Sequence, residues 1–185
     1  MSTNEWYTRP QYIEAAREVM GGIGLDPASC EIANHIIKAE RYFTEKQNGL
    51  LQEWKARTLW CNPPYARTAT YQSGIRHWVE KAIQSYQSGA IEQAILLLTT
   101  EINARWFQPL WEYPICFANH RVKFIAPKKD PRGVYNHMFG TCFVYLGPHE
   151  ERFTEVFCRF GRIVKAIDTP KAQPVTGELW LEVAG

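Results

Sequence analysis

Thr58-Leu59-Trp60-Cys61-Asn62-Pro63-Pro64-Tyr65 is an apolar run that ends in a stiff polar turn. Its first four residues read as a buried strand. Two consecutive prolines stop that strand, since neither carries an amide proton for a ladder. Working outward, Ala94 to Leu98 is wholly apolar, as a central parallel strand is, and Thr141 to Leu146 is strongly β-forming. Shorter strands are predicted at Ile23–Leu25, Arg41–Thr44, Ile115–Phe117, Arg121–Ile125 and Ile163–Ala166. Helical spacing fills the gaps between them. Over 75–88 it is carried by Ile75, Trp78, Val79, Ala82, Ile83 and Tyr86. Over 10–20 it is carried by Ile13, Ala16 and Met20, with Pro10 in the first turn and Gly21-Gly22 as the stop. Further helices are predicted near 30–38, 103–111 and 150–159. Strands alternating with helices imply an α/β domain with a mainly parallel sheet.

At 185 residues the chain holds one such domain, expected over 1–167, with 168–185 as a peripheral tail. No signal peptide is read at the N-terminus and no apolar run reaches the length of a membrane span, so a cytoplasmic protein with no membrane partner is expected. The five cysteines have no CxxC spacing and sit mostly among apolar neighbours, as free thiols do in a reducing compartment. The five histidines show no ligand spacing either, and no metal site is expected. Net charge is only +2, yet residues 55–81 hold 5 basic and 1 acidic side chains, and 105–132 hold 6 and 2. Two positive stretches in a near-neutral chain suit a polyanion held on one face.

Asn62-Pro63-Pro64-Tyr65 carries the chemistry. An exocyclic amino group on a base is a poor nucleophile, because its lone pair is delocalised into the ring. Two acceptors set against its two N–H hydrogens localise that pair and aim it. The Asn62 side-chain oxygen and the Pro63 carbonyl are such acceptors, and the prolines preorganise them. Tyr65 supplies a face on which a base stacks, close to a cationic methyl donor. The turn leaves the carboxyl end of a strand, where open α/β sheets bind ligands. A second strand end carries Asp26-Pro27-Ala28-Ser29. There Asp26 is either a helix cap or a carboxylate for a charged amino group, and the small residues allow a cofactor near the backbone. Thirty-six residues separate Asp26 from Asn62, and with both motifs present the cofactor reading is preferred.

The ordered set Glu5-Trp6-Tyr7-Thr8, Ile13 to Ile23, Leu25-Asp26-Pro27-Ala28-Ser29, Ala33-Asn34, Tyr42-Phe43-Thr44, Gly49-Leu50, Trp54, Trp60 to Tyr65, Trp78, Lys81-Ala82, Leu96-Leu97, Trp106-Phe107 and Arg121 to Phe124 resembles the phage and prophage DNA N6-adenine methyltransferases over roughly residues 5–165. The resemblance implies a Rossmann-like S-adenosylmethionine-dependent methyltransferase fold, with a mainly parallel sheet and one antiparallel edge hairpin. It implies adenine-N6 methylation of DNA, with S-adenosylmethionine as cofactor. It makes Trp6, Tyr7 and Thr8 a cofactor-contacting arm, with Thr8 near the cofactor carboxylate, and places Asp26 in the first cofactor loop. It gives Asn48 the role of accepting from the cofactor's adenine amino group, at a position usually held by Asp. Arg9 and Gly24 also depart from the family's usual Pro and Asp. For the ribose-gripping acid, only Glu40 offers itself.

DNA must present its target base flipped or single-stranded. Phe124 is the candidate for the aromatic face opposite Tyr65, with a core Phe as the alternative, and Arg121 and Lys123 beside it are phosphate ligands or edge-strand charges. Lys128, Lys129 and Arg132 in one loop, and Arg67 in another, are further DNA candidates, with Arg76 and His77 next to the latter. With no room for a separate recognition domain, short or relaxed target recognition through loops 66–74 and 126–139 is expected. Three other readings stand beside this one: transfer to cytosine N4, transfer to protein glutamine, and a catalytically silent nucleic-acid-binding domain of the same fold. Oligomeric state is not legible in the sequence.

Overall fold

The computed structural model describes residues 7–64, 74–125, 134–136 and 140–167. Its strands are β1 (Tyr7–Thr8), β2 (Leu25–Asp26), β3 (Arg41–Tyr42), β4 (Ala56–Cys61), β5 (Ile91–Thr99), β6 (Ile115–Ala118), β7 (Lys123–Ile125), β8 (Val134–Asn136), β9 (Thr141–Leu146) and β10 (Gly161–Val164). Its helices are α1 (Pro10–Met20), α2 (Glu31–Ile37), α3 (Gly74–Gln87) and α4 (Glu150–Phe157).

Seven strands form one sheet in the order β10-β6-β9-β5-β4-β2-β3. The β3–β2, β2–β4 and β4–β5 pairings are parallel. The β5–β9, β9–β6 and β6–β10 pairings are antiparallel. A mainly parallel sheet therefore describes only the half built around β4. The other half is antiparallel, and β9 lies inside the sheet between β5 and β6. The protein is a mixed α/β structure. A second, three-stranded antiparallel sheet, β1-β7-β8, joins the N-terminal arm to the Arg121–Ile125 region.

Helices cover both faces of the large sheet. On one side Tyr12, Ile13, Ala16 and Val19 of α1 pack with Phe153, Val156 and Phe157 of α4 against Trp60, Ile95, Leu97, Phe143 and Tyr145. On the other, Trp78, Val79, Ala82 and Ile83 of α3 meet Leu59, Cys61, Leu96, Leu98 and Val144. Trp60 and Ile95 lie on one face, Leu59 and Leu96 on the other. This is the period-2 alternation of strands buried on both sides, and it is why those segments read as unbroken apolar runs.

Several elements differ from expectation: β3 stops at Tyr42, β7 starts at Lys123 and β10 runs over Gly161–Val164. The segment 103–111 is not an α-helix. It is a chain of i→i−3 turns (Phe107 N–H to Ala104 at 3.0 Å, Leu110 N–H to Phe107 at 2.9 Å) ending in a 3₁₀ helix at Gln108–Glu112. Pro109 withholds an amide proton and disfavours an α conformation in the residue before it. Burial of Phe107 and Leu110, three residues apart, suits the tighter helix. The strand expected at 23–25 begins at Leu25. Gly24 instead docks side-on to β4, its N–H donating to the Thr58 carbonyl at 3.1 Å and hydroxyl at 2.9 Å. A Cβ there would come within 3.2 Å of the Thr58 carbonyl oxygen, a physical reason for glycine at this position.

Candidate active site

The chain runs from β2 outward to β3, then returns past β2 to β4 and on to β5. Strand order reverses between β2 and β4. In an open parallel arrangement such a reversal leaves a crevice outside the carboxyl ends of the two strands. Asp26 ends β2 and Asn62-Pro63-Pro64 follows β4, so both motifs flank this crevice.

Asp26 is 1% exposed. Its Oδ1 accepts from Ala28 N–H at 3.1 Å, closing a local turn. Loss of water pushes its carboxyl from an ordinary 3.8 up to about 7, with the Ala28 N–H and Ser29 pulling the other way. Among the described residues no cation pairs with it. Cys61 lies near enough that Asp26 adds to the effect of burial in raising its thiol well above the usual range. A buried carboxylate poised near neutrality without a protein counter-ion fits a ligand that brings its own positive charge.

The rest of this loop is locked to β3. Phe43 N–H donates to the Asp26 carbonyl at 3.0 Å and Ser29 N–H to the Phe43 carbonyl at 2.9 Å. Next to it, Asn48 adopts a left-handed conformation (φ 49°) between two short 3₁₀ turns, and its side-chain oxygen accepts from Leu50 N–H at 3.2 Å. Asn and Asp tolerate this backbone better than most residues do. Gly49 then presses on the first loop, where a Cβ would lie 1.9 Å from the Pro27 carbonyl oxygen. Gly49→Ala is expected to force these two loops apart, lowering stability by about 1–3 kcal/mol, the usual cost of overpacking, as measured by urea unfolding.

The N-terminal arm closes the crevice from the α1 side. Thr8 pairs with Phe124 across β1 and β7, and Asn62 Nδ2 reaches the Thr8 hydroxyl at 3.4 Å. The arm and the turn after β4 thus meet, although residues 8 and 62 are far apart in sequence. A family model described as DNA N-6-adenine-methyltransferase matches residues 2–154, from the arm into α4.

The chain belongs to the DNA N-6-adenine-methyltransferase family. Searches among curated proteins and solved structures return no match.

In this family member the remaining sequence candidates fall as follows. Tyr7 is buried beside Thr8. Pro27 is buried; Ala28 and Ser29 are half-buried on the same loop. Phe124 is 1% exposed within the core cluster that includes Tyr7 and Trp60. It does not present a face to an incoming base as expected, because strand alternation turns Val122 and Phe124 inward and Arg121 and Lys123 outward. Glu40 precedes β3 and lines a 480 Å³ cleft with Met20, Gly24, Arg41, Lys55 and Arg57. That cleft lies at the amino ends of the strands, away from Asp26, so Glu40 is not brought to the crevice. Arg76 is ion-paired with Glu80 at 2.7 Å. Trp6, Tyr65, Arg67, Lys128, Lys129 and Arg132, and most of loops 66–74 and 126–139, lie outside the described residues. Gly49, Cys61 and Lys81 entered the sequence reasoning among the residues that match the family, with no site role assigned to them. Among the described residues no cluster of three potential metal ligands occurs and no helix is long and apolar enough to cross a membrane.

Proposed function

We propose that this chain transfers a methyl group from S-adenosylmethionine to N6 of an adenine in DNA, with the base extruded into a pocket at Asn62-Pro63-Pro64-Tyr65. The carrying observation is the crevice at the strand-order reversal, flanked by the buried Asp26 carboxylate, which has no cationic partner among the described residues, and by Asn62. The family match directs that geometry to adenine N6. The parallel half of the sheet is read as the Rossmann-like core of a single domain over 1–167.

The bound cofactor supplies an electrophilic methyl on a sulfonium. The chain's own residues do the rest. Asp26 holds the cofactor's amino group, and the Pro27-Ala28-Ser29 backbone lies along it. Asn48 accepts from its adenine amino group through its side-chain oxygen. Trp6, Tyr7 and Thr8 bracket the carboxylate side. Because the Asn62 Nδ2 donates to Thr8, its oxygen is oriented as the acceptor for one N6 hydrogen. The Pro63 carbonyl takes the other, Tyr65 stacks on the base, and the positive charge developing on N6 is met by these fixed dipoles. Arg121 and Lys123 lie exposed beside the arm. With Lys128, Lys129, Arg132 and Arg67 they form the proposed contacts to phosphates.

The experiment is direct. Incubate the protein with methyl-labelled S-adenosylmethionine and DNA, digest to nucleosides and separate them. Label in N6-methyladenosine is the expected result. Label in N4-methylcytosine, or DNA binding without transfer, defeats the proposal.

A further inference from the structure

The loop that carries Asn48 is gripped from α3 by one side chain. Lys81 Nζ donates to the carbonyl oxygens of Leu50 and Gln52, each at 2.6 Å. Its ammonium lies 5.3 Å from the centre of the Trp54 ring. The Trp54 indole N–H in turn donates to the Gly49 carbonyl at 2.8 Å, and its ring packs at 5.9 Å against Trp78 of α3. One cation and one indole therefore take three carbonyls, from Gly49, Leu50 and Gln52, and tie them to a single helix. Partial withdrawal from water pushes the Lys81 pKa down, and charge-assisted bonds to the carbonyls offset that loss.

Burial of a core does not require this fastening. Trp78, Val79, Ala82 and Ile83 already seat α3 on the sheet. Leu51, in the middle of the gripped segment, is 79% exposed. What the grip fixes is the backbone between Asn48, in its left-handed conformation, and Gln52, with Gly49 set against Pro27 of the Asp26 loop. Moreover, α3 is the first described element after the Asn62-Pro63-Pro64 turn.

We propose that Lys81 is a positioning residue for the cofactor: it holds residues 48–52 in the conformation that presents Asn48, and so sets cofactor affinity while touching neither the reacting atoms nor DNA. This rests on the assignment of Asn48 to the cofactor's adenine made above.

Lys81→Met keeps an apolar stem over Trp54 and removes all three donors. The dissociation constant for S-adenosylmethionine, read by calorimetry, is expected to rise about tenfold, the net worth of one charge-assisted hydrogen bond. At saturating cofactor, kcat and the DNA dissociation constant stay within about twofold of wild type. Amide hydrogen exchange quickens at Leu50 and Leu51, and Lys81→Arg, which keeps the charge and several donors, recovers most of the affinity. If K81M leaves cofactor affinity within about twofold of wild type, or lowers kcat and DNA affinity as much as cofactor affinity, the proposal is overturned. Should K81M not fold, K81Q, with one neutral donor on a shorter stem, takes its place in the same titrations, and the same results uphold or overturn the proposal. A wild-type protein that binds DNA but no S-adenosylmethionine overturns the parent reading along with this one. Wild-type cofactor binding with an insensitive lysine variant overturns this one alone.

Discussion

Asn62→Ala is expected to lower kcat by about 10²–10³-fold, the usual loss when one preorganised group facing the developing charge is removed. The side chain is half-buried and its described bond to Thr8 is a long one, at 3.4 Å. The variant should stay folded, since truncating this half-buried side chain leaves no buried charge behind. Cofactor affinity should be unchanged, because the proposed partner of Asn62 is the acceptor base. Asn62→Asp is the informative companion. It keeps an acceptor oxygen, and the Thr8 hydroxyl can turn to donate to the other carboxylate oxygen, so activity within about tenfold of wild type is expected. Single-turnover methylation with calorimetric cofactor titration separates these effects. Wild-type turnover by Asn62→Ala removes Asn62 from its assigned role.

The second large effect concerns Asp26 and pH. Its carboxyl titrates at about 7 in the folded protein, against an ordinary 3.8. Because the folded value is raised, burial of the neutral acid contributes stability that is fully present below about pH 4 and is lost as pH rises through about 7. The total is on the order of 4 kcal/mol. Apo protein should thus lose this contribution between pH 4 and 8, whereas Asp26→Asn should show no such decline. The neighbouring Cys61 thiol stays neutral across this range, since burial and Asp26 both raise it. Cofactor binding has the opposite slope. A cationic amino group requires the ionised carboxylate, so affinity should improve by up to about tenfold per pH unit as pH approaches 7 from below, and level off above it. At pH 7.5, Asp26→Asn should bind S-adenosylmethionine about 10–100-fold more weakly, the worth of a hydrogen bond to a charged group. Calorimetric titrations from pH 5.5 to 7.5 test both slopes, and an affinity flat with pH excludes Asp26 as the carboxylate involved.

Much of this was legible because it is local. Pro10 and Gly21 bracket α1, and the spacing of Ile75, Trp78, Val79, Ala82 and Ile83 marks α3. The run Thr141 to Leu146 matches β9 end to end. Direction is not local. An apolar run such as Thr141 to Leu146 carries the same pattern in either orientation, so the antiparallel β9 between β5 and β6 was invisible. The pairing of Tyr7-Thr8 with Phe124-Ile125 also lacks any sequence period. Two signals were present but read differently. The alternation Arg121-Val122-Lys123-Phe124 already places both cations on one face and both apolar side chains on the other, which puts Phe124 in the core. Pro109 already argued against a continuous helix over 103–111. Lys81 entered only through the Lys81-Ala82 match to the family, and its role had no sequence signal, since a lysine on a helix reads as solvated until its partners are seen.

The pairing of β1 with β7 has a consequence for biosynthesis. Thr8 leaves the ribosome long before the strand that anchors it, which ends at Ile125 and pairs onward with β8 at Val134–Asn136. Between the making of Asn62 and that of Ile125, the nascent chain holds both the Asp26 loop and the Asn62 turn with the arm still loose. Closing a contact between residues so distant carries its entropic cost before any of its reward. The crevice is therefore among the last features to mature, and a chain stalled before β7 would present the motifs without the clasp that joins them.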